Sequence, residues 1–597
     1  MIKVMKSIFK ILAFLPLFTS CADLLEPALE NNREIDAMYD EPSFAQGVLA
    51  NAYILLPYTS PYNSPVTNEV ATDNAVLNDV SNNWVKLATG SWTSDNDEAS
   101  QWQNRYHAIQ YINTFLERCD DVIWSTDENV RRLFNDRFKG EAYGLRALNM
   151  YYLLRAHGGW ADDGVLYGVP IKRDSENPNT DFNVKRDTFK DCMNFIFEDC
   201  ENAIKLLPID YKEHSETDVP QVYKDMGIDA SVYDRVNGAH MGGRISGRIV
   251  EAIRAQAALL AASPAFADGS GVTMEDAANY AAIVLDRKNG VSGIDADGYK
   301  WYANGSEINA LTAGSNPDEI LWRSDVIQSL TKETDNYPPT LYGKGRVNPT
   351  QNLVDAFPMA NGYPITDKVN GKYDPSKPYD GRDRRLKEYI ICNGDTYKET
   401  PIITAAYGTT NDALNKESGY STRTGYYMKK MLRTDCNPNP TYNTSQKVYS
   451  AYIRYTELYL AYAEAANEAW GPKDGRTHLY SAYDVIKAIR KRAGITDDLY
   501  LEECANDKDK MRELIRNERR IELCFENHRF YDLRRWKVDM SLLTEPAKGV
   551  SIVRAGTGLQ YDEIEVESRD YKDYMYYGPI PYSETLKYDQ LKQNKGW

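Results

Sequence analysis

The feature that most limits what this chain can become is a series of apolar stripes with helical period, arriving in consecutive pairs. Residues 43–56 put Phe44, Val48, Leu49, Ala52, Tyr53 and Leu56 on one face, and Pro57 ends the run, because proline lacks the N–H that a continuing helix needs. Further helices are expected at 99–119 and at 128–156, the latter striped by Phe134, Phe138, Ala142, Leu145 and Tyr152 and stopped by Gly158 and Gly159. Another is expected at 187–207, with Phe189, Met193, Ile196 and Ile204 inward. A polar stretch, 208–240, is followed by helices at 244–262 (closed by Pro264) and 274–288, and later by 451–469, 479–493 and 507–525. Each such helix has to bury its stripe against a neighbour.

Two stretches break the period. Residues 57–98 are rich in Asn, Asp, Ser and Thr, with aromatics scattered among them. Residues 290–450 are full of Gly, Pro, Asn and Tyr, with short strand candidates at 318–324 and 388–393. Loops of this length in a compact domain usually carry function. The tail, 540–597, reads as irregular and Tyr-rich. No composition shift marks a flexible linker, so one compact helical unit with loop excursions is expected. Ala-rich contact faces make the helix pairs resemble tetratricopeptide-type hairpins, although no clean consensus of roughly 34 residues repeats. The expected fold class is therefore mainly α, a scaffold of such pairs carrying two long loop-rich excursions and a few short strands.

The first twenty residues read as a secretory leader. Lys3, Lys6 and Lys10 precede the apolar run 11–18, which is far shorter than the roughly 20 residues that span a bilayer. Thr19 and Ser20 then lead into Cys21. This resembles a bacterial lipobox, in which the Cys is acylated, with Phe18 where Leu is usual. An ordinary leader cut elsewhere is the alternative. The acidic Asp23 and Glu26 that follow resemble a surface-export signal.

Net charge is −17 with a pI near 5.1, which disfavours nucleic acid as a partner. The eight Cys form no CxxC pair and no Cys/His cluster of zinc spacing, so buried thiols are expected rather than a disulfide framework. Cys192 and Cys200, on one helix, would sit about 12 Å apart, too far to bridge. Asp295 and Asp297 brush against a calcium-loop pattern without its terminal Glu. No cofactor is expected; a structural calcium ion stays open. No GxSxG, Walker A, GxGxxG or HExxH occurs.

The densest charge cluster runs from Arg516 to Trp536. Glu522, Glu526 and His528 invite a metal reading, and His528 with Asp532 an acid–base reading. The apolar stripe Leu514, Ile521, Cys524 and Phe525 argues instead for a packed helix. Both signs interleave at i+3 and i+4, and partly buried charges normally pair. Arg519, Arg520, Glu522, Glu526, Arg529, Asp532 and Arg535 are therefore expected to form a structural ion-pair network. Arg454, Glu457 and Glu464 invite a paired-carboxylate reading and receive the same structural one.

These segments together resemble the SusD/RagB family of outer-membrane lipoproteins. The run from Arg519 to Trp536 is similar to the family's R-x-E-L-x-F-E-G-x-R-x-x-D-L-x-R-W, with Asn527 where Gly is usual. Ile453 to Ala465, Gly140 to Ala147, Gly168 to Ile171, Pro579 to Glu584 and Asn594 to Trp597 match further family segments, and Cys21 to Pro27 matches its start. The resemblance implies a SusD-like fold, an N-terminal region at 21–240 and a C-terminal RagB/SusD region at 241–597. It implies a non-catalytic protein lipid-anchored through Cys21 in the outer membrane and facing outward. Its partner would be a SusC-like TonB-dependent transporter, and its ligand a glycan; a peptide ligand and a surface glycosidase are the alternatives.

A sugar site wants aromatic platforms with Asn, Asp and Arg for the hydroxyls. The first excursion offers Asp73, Asn82, Asn83 and Trp84; the second offers Trp301, Tyr302, Tyr337 and Tyr342. The competing expectation is that these aromatics pin the loops to the scaffold.

Overall fold

A computed structural model describes residues 41–60 and 68–597; Cys21 and the leader lie outside the described residues. The helices stack in chain order. α1 (Pro42–Ile54) packs on α2 (Trp102–Arg118), α2 on α3 (Glu128–His157), and α3 on α4 (Phe189–Leu206). α4 packs on α5 (Gly247–Ala262), α5 on α6 (Met274–Asp286), and α6 on α7 (Tyr455–Trp470). α7 also carries α8 (Ala482–Arg492) and α9 (Lys508–Glu522), and α10 (Arg529–Arg535) follows. Each helix thus buries its stripe against its chain neighbour, as paired periodicity requires.

Local chemistry sets the helix ends. Asp127 accepts from the backbone N–H groups of Asn129 and Val130 at the start of α3. Thr273 with Asp276, and Ser481 with Asp484, close capping boxes on α6 and α8. Such caps contribute about 1 kcal/mol each. Close packing of α3 depends on two glycines: a Cβ on Gly140 would stand 2.7 Å from Leu207, and one on Gly144 would stand 2.8 Å from Val250. Every residue of α7 from Tyr455 to Asn467 is buried, because α5, α6, α8 and α9 surround it.

The second excursion is more ordered than its composition suggests. It holds short helices at Gly305–Ala310, Thr331–Asn336, Gln351–Ala356 and Arg384–Tyr389. It also builds its own core from Tyr299, Tyr337, Leu353, Phe357, Tyr389 and Tyr427. The excursions are joined where Ala75–Leu77 pairs antiparallel with Val347–Pro349. The strand expected at 318–324 is Ile320–Arg323, and its partner Ala451–Arg454 occupies what the periodicity assigned to the start of a helix. The tail is not irregular: Ala547–Ala555 and Gly558–Glu567 form a hairpin turned at Gly556, φ +60°. Seven cysteines, from Cys119 to Cys524, are buried free thiols.

Candidate ligand-binding cleft

The charged run folds into a buried belt. Arg385, fully buried, meets Asp383 at 2.7 Å, Glu518 at 2.5 Å and Glu522 at 2.9 Å. Arg454, just before α7, meets Glu319 at 2.9 Å and Glu526 at 2.7 Å, and Arg492 meets Glu522 at 2.7 Å. Burial pushes the Glu522 carboxyl up, but Arg492, Arg454 and Arg385 outweigh it and bring it down to about 2. Asp532 takes Arg519 and Arg535, each at 2.8 Å, and Arg535 reaches Glu464 at 2.5 Å. Arg520 and Arg529 converge on Asp73 at 2.9 and 2.8 Å.

Beside this belt lies an open cleft of about 330 Å³. Its walls come from residues 57–59, from α3 and α7, from Trp84 and Trp301, and from the segment 525–531. Tyr58 and Tyr452 stack with centroids 4.5 Å apart and planes 10° apart. Behind them the buried Trp322 meets both rings edge-on, at 5.6 and 5.4 Å, and so fixes their planes. Tyr152 meets Tyr58 edge-on at 5.8 Å. The Arg155 guanidinium lies between Tyr152 and Tyr531, at 4.1 and 3.9 Å from the ring centroids.

The polar lining is unevenly satisfied. Gln256 Nε2 donates to Glu457 Oε1 at 2.7 Å, and Glu526 is held by Arg454 and by Lys430 at 2.6 Å. Burial pushes the Glu526 carboxyl up, yet those two cations bring it below its ordinary value. Burial also lowers the His528 imidazole, which favours its neutral form. By contrast Tyr58 Oη, Asn68 Oδ1, Arg155 Nε, Gln256 Oε1 and Trp301 Nε1 are buried and have no hydrogen-bond partner within the chain. Buried polar atoms are nearly always paired, so these five atoms are places where a polar ligand group could bind.

Of the eight residues put forward for a ligand, the cleft gathers Trp84 and Trp301. Trp84 is half-buried and edge-on to Phe530 at 5.5 Å. The others stand elsewhere. Asp73 is a correction: two guanidiniums hold its buried carboxylate inside the belt. Tyr337 is another, fully buried with its hydroxyl donating to the Arg433 carbonyl, so no ring face is open. Tyr302 is buried and packed edge-on to Trp301. Asn82 caps the turn at Trp84, and Asn83 donates to Glu98 at 3.1 Å. Tyr342 is exposed but does not line the cleft. Tyr58, Tyr152, Arg155, Gln256, Tyr452 and Tyr531 escaped sequence reasoning: Tyr58 is one aromatic among several in the first excursion, and the others lie in segments that read as scaffold. Among the described residues no helix is long and apolar enough to cross a membrane.

Comparison with known proteins gives a consistent result. The model of the SusD family matches residues 314–597, and a SusD-like model described as starch-binding associating with outer membrane matches 29–222. SusD-like protein P25 of Formosa agariphila is 33% identical over 119 residues, 20% of this chain and 21% of that protein. The match thus spans about a fifth of that relative. A SusD-like protein of Bacteroides fragilis superposes with a TM-score of 0.70 at 23% identity, covering 94% of this chain and 98% of the other. A second B. fragilis structure, described as a SusD-like carbohydrate binding protein, gives 0.66 at 21% identity, covering 93% and 100%. At these identities the likeness establishes a shared fold.

Proposed function

The chain belongs to the SusD/RagB family, and from that premise we propose that it captures a glycan at the outer cell surface without cleaving it. The observation that carries this reading is the cleft: a stacked tyrosine pair lines it with aromatic surface, and orphaned amide, guanidinium and indole groups surround it. Sugars present an apolar ring face edged by hydroxyls, and this pairing of groups suits them. Catalysis fits less well. A glycosidase needs one carboxyl kept protonated as general acid, whereas Glu526 is held ionised by Arg454 and Lys430.

Delivery to a SusC-like transporter and anchoring through lipid on Cys21 complete the proposal; the family membership and the leader-like first twenty residues support them. The test is affinity electrophoresis of the full chain in detergent, through gels with and without plant, host and microbial polysaccharides. Retardation by a glycan class, lost on Tyr452→Ala, is the expected result. Retardation that Tyr452→Ala and Tyr58→Ala leave unchanged would move the site away from the cleft, and no retardation by any glycan would overturn glycan capture.

A further inference from the structure

Two cations on the cleft differ from the buried cations of the belt. Arg385, Arg454 and Lys430 each meet carboxylates. Arg155 and Lys332 line the cleft, yet among the described residues neither donates to a carboxylate or carbonyl oxygen. Lys332 is 8% exposed, and burial pulls its ammonium below its ordinary value, with Glu333 opposing. The Arg155 Nε is one of the five orphaned atoms. The acids that share the lining are already engaged: Glu526 by Arg454 and Lys430, and Glu457 by the Gln256 amide, with His528 Nδ1 at 3.9 Å.

An unpaired cation withdrawn from bulk water is costly, and here Lys332 is buried and Arg155 half-buried. Keeping two such cations on one ligand cleft is intelligible when the ligand brings the missing anion. The faces of the Arg155 guanidinium are covered by Tyr152 and Tyr531, so its donors are offered edge-on, in plane. That planar fork matches an anionic oxygen pair. A neutral hydroxyl would satisfy one donor and leave both charges unanswered.

We propose that the cleft is specific for acidic glycans, Arg155 and Lys332 receiving a carboxylate or sulfate group while the aromatic lining at Tyr58 and Tyr452 contacts the adjoining sugar. This rests on the glycan-capture reading. The chain as a whole carries −17 and repels polyanions at long range, so retention of one has to come from a local site.

The probes are oligogalacturonate with its methyl ester, and a sulfated galactan oligosaccharide with its desulfated form. They are titrated calorimetrically into the full chain in detergent. The proposal expects one acidic probe to bind at least about tenfold tighter than its neutralised partner, as a charge-assisted contact should. Whichever acid binds distinguishes uronate from sulfate. Arg155→Gln and Lys332→Met should each weaken that probe about tenfold or more, with the neutralised probe insensitive. Arg155→Lys should lose part of the affinity, since it keeps charge without the fork. Tyr442→Ala, at a residue 67% exposed and off the cleft, should change nothing. Melting curves control for folding; should Arg155→Gln fail to fold, Arg155→Lys and Lys332→Met carry the test. Neutral glycans bound as tightly as acidic ones, by wild type and variants alike, would overturn the acidic specificity and leave glycan capture standing. No binding of any glycan would overturn both.

Discussion

Arg385 and Arg155 are both guanidiniums in contact with the core, and their surroundings are opposite. Arg385 is fully buried and answered by Asp383, Glu518 and Glu522 within 2.9 Å. Arg155 is half-buried between two tyrosines and meets no carboxylate within ion-pair distance among the described residues. The belt spends its charges on itself, which fixes how the second excursion sits against α9. The cleft leaves polar atoms and cations unanswered on a surface that solvent reaches. Carboxylates answer the cations of the belt, and none answers the two cations of the cleft among the described residues.

That contrast is sharpest in stability. Glu522→Ala removes a carboxylate shared by Arg385, Arg454 and Arg492, and should cost about 3–5 kcal/mol in urea denaturation. Arg155→Gln should stay within about 1 kcal/mol of wild type in the same assay, since it removes no ion pair. Equal losses in the two variants would abolish the distinction. The next effect is acid sensitivity. The Glu522 carboxyl is lowered from 4.5 to about 2 in the folded chain. The unfolded chain therefore binds the proton first as pH falls. The contribution, on the order of 3 kcal/mol, is fully present above about pH 4.5 and is lost as pH drops through 2. Urea midpoints followed from pH 5 to pH 2 should fall accordingly, and Glu522→Gln should flatten the dependence.

Smaller still is the cost of the aromatic lining to the fold. Tyr452→Ala should reduce glycan affinity about tenfold, the scale of one aromatic contact. It should destabilise the chain less than Glu522→Ala, which parallel binding and denaturation measurements would check. The smallest effect is expected at Asn527, which stands at φ +68°. Asn527→Gly should shift stability by no more than about 0.5 kcal/mol, whereas Asn527→Val should cost about 1–2 kcal/mol because a branched Cβ resists the left-handed region. Melting temperatures separate the two.

The helices were legible because an amphipathic stripe is a local signal: α3, expected at 128–156, spans Glu128–His157. The hairpin at 547–567 escaped, although the alternation from Glu563 to Glu567 was its signature. The belt was legible in kind, since interleaved charge on a packed helix has to pair. Its membership was not, because Arg529 takes as partner Asp73, 456 residues earlier. The cleft was least legible. Tyr58, Arg155, Tyr452 and Tyr531 come from four distant segments; Tyr58 is one aromatic among several in the first excursion, and each of the other three alone reads as helix packing. Loop aromatics looked like better candidates, but Tyr337 failed because the second excursion is large enough to have a core of its own.

The most direct test of the cleft is hydrogen–deuterium exchange of the full chain with and without oligosaccharides of the polysaccharide that retards it. Protection confined to the segments around 57–60, 151–155, 451–454 and 525–531, with the region around Tyr342 unchanged, is the predicted result. Protection around Tyr342 with none at Tyr58, Arg155 or Tyr452 would contradict the assignment of the cleft as the ligand site.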